Sequence, residues 1–481
     1  VNRPIVRLYG LVVVLFAVLV AFTSRWTVFE ASSLRANTLN ARALLEQERI
    51  DRGEILAAGG EVLARSVRHS GGFYTRIYPA GALFTPPVGY SNVELLGQTG
   101  LERYRSAALN GETGTSVQSV LNELQGRKSQ GNTVLTALQP AAQRVALAAL
   151  GEHEGAVVAL RPQTGAVEVM ASTPSFDAGA LTSEAAYKRI TSEPGSPLLN
   201  RAVQYGYAPG STFKVVTATA AIDSGQFTPE STVSGRNEVI VSGVPLKNDD
   251  NESYGQITLT EALAHSVNTV YAQVAEQLGK QTMARYMRRF GFDRKPQLDY
   301  PSEEMSASGE YLRDGRLVAP TSPYVDVGRM GIGQDKLSVT PLQMAEVAAA
   351  VANRGTLMVP HLTTAIVEPD GHVVQRISPK VQSVVMKPST AASVTKMMEA
   401  VVYSPGGTGA AAQIPGVTVA GKTGTAETQY GTALNNVWFI AFAPTQHPTV
   451  AIAVTLKGVP GQGATYAAPV ARQVMEALLH G

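Results

Sequence analysis

The chain sets 40 Lys and Arg against 38 Asp and Glu over 481 residues, a formal net charge of +2, with 44% hydrophobic residues and no cysteine. A balance this near to neutral leaves no electrostatic footprint for nucleic-acid binding, and the lack of cysteine excludes disulfides and thiolate metal sites. The length fits two or three domains and a sizeable core.

The first element is apolar. Leu8 to Ser24 carries no charge. At 1.5 Å per residue it covers about 25 Å, the short limit for a bilayer span. Trp26 and Phe29 suit interfacial anchors, and Arg25 can snorkel. A cleaved signal peptide is the alternative, but Ala21-Phe22-Thr23-Ser24-Arg25 is a poor cleavage site. The expectation is an uncleaved anchor, with residues 1–7 cytoplasmic, 8–24 in the membrane and the rest extracytoplasmic. Arg3 and Arg7 set that orientation, although Arg25, Glu30 and Arg35 weaken the asymmetry.

Residues 25–152 read as a separate region. A helix is expected over Leu34 to Arg49, then a turn at Gly59-Gly60 between Arg52-Gly53-Glu54-Ile55-Leu56 and Val62-Leu63-Ala64. Thr133 to Leu138 ends the region, and Pro140 to Leu150 reads as a linking helix. Residues 153–481 form a second domain. It opens with a hairpin, Ala156 to Leu160 and Ala166 to Ala171, around Pro162-Gln163-Thr164-Gly165. Further strands are expected at Val417 to Ala420, Val437 to Ala443 and Val450 to Leu456, and a closing helix at Ala467 to Leu479. One sheet would thus draw strands from both ends of the domain around a helical block, an α+β or α/β sandwich of high contact order. Within the block, Thr258-Leu259-Thr260-Glu261 is a capping box before a helix from Ala262 to Leu278. Ser234 to Tyr254 and Ser302 to Pro323 are polar loops expected to flank a cleft.

Three short fragments carry chemistry. Ser211-Thr212-Phe213-Lys214 follows Tyr207-Ala208-Pro209-Gly210 and precedes an apolar helix. Positions i and i+3 share a helix face with Cβ atoms roughly 5–6 Å apart, so the amine can take the hydroxyl proton and prime Ser211 as a nucleophile. A plain N-cap serine is the bland alternative. Ser-x-x-Lys arises by chance about twice in such a chain, and the copy at Ser393 and Lys396 reads as an amphipathic helix face. Ser266-Val267-Asn268 is the only Ser-x-Asn, and Lys422-Thr423-Gly424 the only Lys-Thr-Gly. A lysine serves as a base only when neutral, and burial or a nearby cation favours that form; Lys422 is the candidate cation for Lys214.

Gly416 to Thr423 also fits the phosphate-binding pattern Gly-x4-Gly-Lys-Thr. That pattern needs a helix after the loop, and Gly424, Gly431 and Asn435-Asn436 leave little room for one. The 7 histidines are scattered without metal-ligand spacing, and His265 beside Ser266 reads as packing or solvent-facing.

From Gly155 onward the chain resembles the transpeptidase domain of class B penicillin-binding proteins, monofunctional peptidoglycan D,D-transpeptidases. The three fragments stand in that family's order. Supporting segments are Gly155 to Pro162, Ala171 to Asp177, Asn200-Arg201-Ala202, Gly331-Ile332-Gly333-Gln334 and Trp438 to Pro444. The resemblance implies the penicilloyl-serine transferase fold: an antiparallel sheet flanked by helices, an all-helical subdomain, an N-terminal pedestal and one transmembrane helix. It implies serine acyl transfer through Ser211, with Lys214, Ser266, Asn268 and Lys422 catalytic. The backbone N–H groups of Ser211 and Thr425 would form the oxyanion hole, and Asn268, Thr423, Gly424 and Thr425 would bind substrate. No metal or cofactor is implied. Partners would be stem peptides ending in D-Ala-D-Ala, β-lactams and a RodA/FtsW-type membrane glycan polymerase. A β-lactamase or D,D-carboxypeptidase is the rival within the same chemistry, disfavoured by chain length, pedestal and anchor. In the pedestal, Ala57-Ala58-Gly59-Gly60 replaces the family's usual Asp-Arg-Asn-Gly turn.

Overall fold

The computed structural model describes residues 3–25, 49–92, 97–112, 130–427 and 433–480. The expected helix Leu34 to Arg49, except for its last residue, lies outside them, as do Trp26 and Phe29. Two sheets organise the rest, one of 6 strands and one of 5. In chain order their strands are β1 (Ile55–Leu56), β2 (Val62–Arg68), β3 (Tyr74–Ile77), β4 (Thr133–Thr136), β5 (Gly155–Leu160), β6 (Val167–Thr173), β7 (Thr363–Val367), β8 (Val373–Arg376), β9 (Ala420–Glu427), β10 (Asn435–Ala443) and β11 (Val450–Val459). The main helices are α1 (Arg3–Ser24), α2 (Pro140–Leu150), α3 (Lys214–Asp223), α4 (Leu259–Ala264), α5 (Asn268–Phe290), α6 (Pro341–Ala352), α7 (Pro388–Tyr403) and α8 (Ala467–His480).

The five-stranded sheet is antiparallel throughout, in the order β9-β10-β11-β5-β6. Successive side chains of a strand point to opposite faces. On β10, Val437, Phe439 and Ala441 join one core with α2 and α8, while Trp438, Ile440 and Phe442 join the other with α6. Helices thus cover both faces, so the central strands are apolar at nearly every position. Among the described residues β9 lies at the edge, with a partner strand on one side. The expected strand Val417 to Ala420 is displaced: pairing runs over Ala420–Glu427, so Lys422, Thr423, Gly424 and Thr425 lie within the strand. The tight Gly421 and Gly424 contacts with β10 side chains and with Pro209 explain why the glycines belong to the pairing rather than to a loop. No helix follows among the described residues before β10, which removes the phosphate-loop reading.

The block between β6 and β9 is not all helical. Thr232–Gly235 pairs with Tyr254–Thr258, and Val239–Val241 pairs with Val244–Leu246. Helix α3 is buried nearly all round, against α5 and α7, as expected of a helix apolar on every face. The capping box at Thr258 and Glu261 forms, but the expected helix Ala262 to Leu278 is broken: α4 stops at Ala264 and α5 starts at Asn268.

The six-stranded sheet, in the order β8-β7-β4-β1-β2-β3, crosses the boundary expected at residue 152. β7 and β8 come from late in the chain, and β7 pairs antiparallel with β4. β1 pairs with β4 on one side, and without β7 the other side of β4 would leave its backbone donors and acceptors unpaired. Arg105 reinforces the junction through Asp299 at 2.9 Å, whose carboxylate also accepts from the Leu362 and Thr363 N–H groups.

The apolar side chains of α1 are exposed, Phe16 to 66%. Its described side chains run unbroken only from Arg7 to Thr23. Among the described residues no helix is long and apolar enough to cross a membrane.

A buried ion triad ties the pedestal together. Glu102 accepts from Arg52 Nε at 2.8 Å and from Arg76 Nε at 2.6 Å. Burial opposes ionisation, yet the two guanidiniums outweigh it and hold the Glu102 carboxyl below its usual range. Removing the carboxylate strands two buried cations. Glu102→Gln should lower the unfolding free energy by about 3–5 kcal/mol in urea titrations.

Candidate active site

Ser211 stands on a tight 3-10 turn, Gly210–Phe213, that leads straight into α3 at Lys214. Trp438 Nε1 donates to Ala208 O at 2.9 Å, Gly210 N to Gly333 O at 3.0 Å and Thr212 Oγ1 to Pro209 O at 2.8 Å. The turn therefore rests on β10 and on Gly331-Ile332-Gly333. Two glycines make this approach possible. Gly210 has φ 52°, and a Cβ there would lie 2.4 Å from Thr425 O; Gly333 has φ 78°, and its Cβ would lie 1.9 Å from Gly210 O. Any side chain at either position would push Ser211 away from the edge of β9.

The break between α4 and α5 presents the second fragment. Ser266 has φ 59°, a left-handed conformation that costs a non-glycine residue about 1–3 kcal/mol and is typical of functional sites. Its carbonyl and its hydroxyl both meet Lys214. Lys214 Nζ donates to Ser266 O at 2.6 Å and to Asn268 Oδ1 at 2.7 Å, and lies 3.4 Å from Ser266 Oγ. From β9, Lys422 Nζ donates to Ser266 Oγ at 2.9 Å and to Thr423 O at 3.1 Å. Ser266 Oγ thus sits between two fully buried amines.

Burial pushes the Lys214 ammonium down to about 7, opposed by the negative charge of Asp249. Burial also drives Lys422 well below the ordinary lysine range, helped by the Lys214 charge and opposed by Asp249. The sequence reading had Lys422 as the cation acting on Lys214. Burial is the largest cause for both lysines, and the repulsion between the two amines, which is mutual, adds to it.

All five expected side chains, Ser211, Lys214, Ser266, Asn268 and Lys422, converge. Ser211, Ser266, Thr423, Gly424 and Thr425 line one cleft of about 160 Å³. One detail differs from expectation. The hydrogen bonds of Lys214 go to Ser266 and Asn268 rather than to Ser211. The amine is anchored by carbonyl acceptors, and Ser211 lines the cleft beside it. The Asn268 amide, read as a substrate contact, is engaged on both ends, with Nδ2 donating to Asp249 Oδ1 at 3.1 Å.

Several cleft residues escaped the sequence reading. Asp249 lies in the loop Ser234 to Tyr254, which does line the cleft, whereas Ser302 to Pro323 contributes none of its described lining residues. Thr408 Oγ1 meets Thr423 Oγ1 at 2.7 Å. His265 also faces the cleft, its ring packed 5.5 Å from that of Tyr254. The helix ends there, so the rule that neighbours on a helix diverge does not apply. Ser393 and Lys396 lie on the surface of α7, as the bland reading had it. Among the described residues no cluster of three His, Asp or Glu side chains could hold a metal ion.

Comparison with known proteins matches residues 155–476 to the penicillin binding protein transpeptidase domain and residues 52–134 to the penicillin binding protein A dimerisation domain. The chain belongs to the penicillin-binding proteins. It is 34% identical to the peptidoglycan D,D-transpeptidase PbpA of Mycolicibacterium smegmatis, over 99% of both chains. It is 30% identical to the MrdA transpeptidase of Haemophilus influenzae, over 81% of this chain and 64% of that one. Its fold is similar to penicillin-binding protein A of M. tuberculosis in a ceftriaxone acyl-enzyme complex, with a TM-score of 0.81, 32% identity and coverage of 90% of this chain and 100% of that one. The imipenem acyl-enzyme complex of the same protein gives a TM-score of 0.80 over 90% of this chain and 100% of that one, at 32% identity. This is therefore a mixed α/β penicillin-binding transpeptidase fold.

The penicillin-binding fold here holds an unusually acidic lysine. Titration followed by NMR of ε-carbon-labelled lysine should show Lys214 losing its proton near pH 7, where a free lysine does so at about 10.4. Gly333→Ala should displace the Ser211 turn and abolish acylation of Ser211 while leaving the far-ultraviolet circular dichroism of the sheet intact.

Proposed function

We propose that this penicillin-binding protein is a serine D,D-transpeptidase that cross-links peptidoglycan stem peptides through an acyl-enzyme on Ser211. The observation that carries the reading is the convergence of two buried amines on Ser266 at the mouth of the Ser211 cleft.

A neutral amine has two N–H groups and one electron pair. Lys214 commits its N–H groups to Ser266 O and Asn268 Oδ1, so its pair is free to take a proton. In the proposed sequence Ser211 Oγ transfers its proton to Lys214 Nζ and attacks the carbonyl carbon of the donor D-Ala-D-Ala bond. Charge develops on the carbonyl oxygen. The Ser211 N–H at the turn and the Thr425 N–H on the edge strand would receive it. Proton return from Lys214 through Ser266 Oγ to the departing nitrogen breaks the C–N bond and releases D-Ala. An amine from a second stem then attacks the acyl carbon, Lys214 takes its proton, and Ser211 Oγ leaves with that proton as the hydroxyl. Thr423, Gly424 and Thr425 would align the donor along β9, whose free edge suits an extended peptide. Lys422 would contribute positive charge for the terminal carboxylate. β-Lactams resemble the donor and would acylate the same serine.

The proposal extends to location and partners. The run Leu8 to Ser24 would anchor the protein in the cytoplasmic membrane, with residues 153–481 as an extracytoplasmic catalytic domain on a pedestal of residues 25–152. The exposed apolar side chains of α1 favour that reading. A RodA/FtsW-type glycan polymerase would bind the anchor and the pedestal.

Labelling with a fluorescent penicillin should give a stable covalent adduct that Ser211→Ala abolishes; persistent labelling would mean a different nucleophile, and rapid turnover of the drug would mean a hydrolase. The acylation rate should fall below a midpoint near pH 7, because protonated Lys214 accepts no proton. Deleting residues 8–24 should move the protein from the membrane to the soluble fraction.

A further inference from the structure

We propose that Asp249 is a positioning residue of this site: as the nearer of two acceptors of the Asn268 amide nitrogen, it fixes which way that amide faces, and so where Lys214 aims its free electron pair. The inference rests on the acyl-transfer reading and adds a residue that lies outside all three motifs.

Asn268 stands between Lys214 and Asp249. Its Nδ2 donates to Asp249 Oδ1 at 3.1 Å and, at the longer distance of 3.4 Å, to Lys247 O, and its Oδ1 accepts from Lys214 Nζ at 2.7 Å. A carboxylate only accepts, so the amide nitrogen must face it; the amide oxygen is then left for the amine. The reverse orientation would set oxygen against oxygen and N–H against N–H. With the Ser266 carbonyl as a second acceptor at 2.6 Å, both N–H groups of neutral Lys214 are spoken for. The remaining tetrahedral position holds the electron pair.

Asp249 is exposed, but the backbone that carries it is held in place. It begins the 3-10 turn Asp249–Asn251. The preceding Asn248 is buried, donates from Nδ2 to Gly235 O at 3.1 Å and to Glu252 O at 3.0 Å, and accepts from Thr269 N at 2.9 Å on the first turn of α5. The turn and the helix bearing Asn268 are therefore fastened to one another beside the amide.

Asp249 also supplies charge. Lys422 faces Lys214 across Ser266, while Glu252, Tyr254 and His265 line the outer cleft. Of these groups, Asp249 is the one carboxylate that acts on both lysines, favouring their protonated forms against burial. Geometry and charge separate experimentally. Asn at position 249 can still accept from the Asn268 amide but carries no charge; Ala does neither.

The test is the pH profile of Ser211 acylation by a fluorescent penicillin, measured on the full chain for wild type, Asp249→Asn and Asp249→Ala, with thermal unfolding as a folding control. Both variants should shift the acid limb to lower pH, because losing a neighbouring anion disfavours the Lys214 ammonium. Asp249→Ala should also lower the plateau about tenfold, the scale of a lost hydrogen bond to a charged group, while Asp249→Asn holds it within about twofold. An unmoved or alkaline-shifted limb, or an unchanged plateau in Asp249→Ala, overturns the inference. Failure of the wild type to be labelled would instead overturn the acyl-transfer reading itself.

Discussion

Two lysine amines buried around one serine hydroxyl are the constraint on which the rest of this molecule depends. Water would keep both charged and apart. Inside the protein the charged forms are costly, and like charges at one hydroxyl cannot both persist. Lys214 is therefore pushed toward the neutral form, and its N–H groups are absorbed by the Ser266 carbonyl and the Asn268 amide. Stability is given up for this arrangement: Ser266 adopts a left-handed backbone, and helix α4 ends early to allow it. The sealed polar environment is what turns an ordinary surface cation into a candidate base.

The scaffold serves that constraint. A helix apolar on every side, α3, can only lie inside, and it carries Lys214 in with it. The five-stranded sheet leaves β9 as its edge, so Lys422 enters from the core side while the strand's backbone remains open to the cleft. Gly210 and Gly333 let three backbone segments approach more closely than any side chain would allow. Rigid elements thus supply the geometry, and the loop bearing Asp249 closes one wall.

The pedestal is less independent than its position in the chain suggests. Its sheet borrows β7 and β8 from beyond α6, and Arg105 reaches Asp299 across the junction. A displacement of the pedestal would be felt by strands covalently continuous with the catalytic domain. The Glu102 triad gives the pedestal side its own buried anchor.

Much of this was legible in the residues themselves. Continuous apolar runs identified four of the five strands of the antiparallel sheet nearly to their ends, the Thr258 to Glu261 capping box announced α4, and three short motifs named the five side chains that converge. These signals are local: strand period, cap chemistry and residue type act within a few positions. What tertiary structure alone decided is of another kind. The break at Ser266, the inclusion of the Lys-Thr-Gly segment in β9, the pairing of β7 with β4 and the grip of Asp249 on Asn268 all depend on partners far away in the chain. A backbone group takes the hydrogen bond that folding makes available, and a lysine takes the charge that its final burial permits; neither is set until distant segments have packed together.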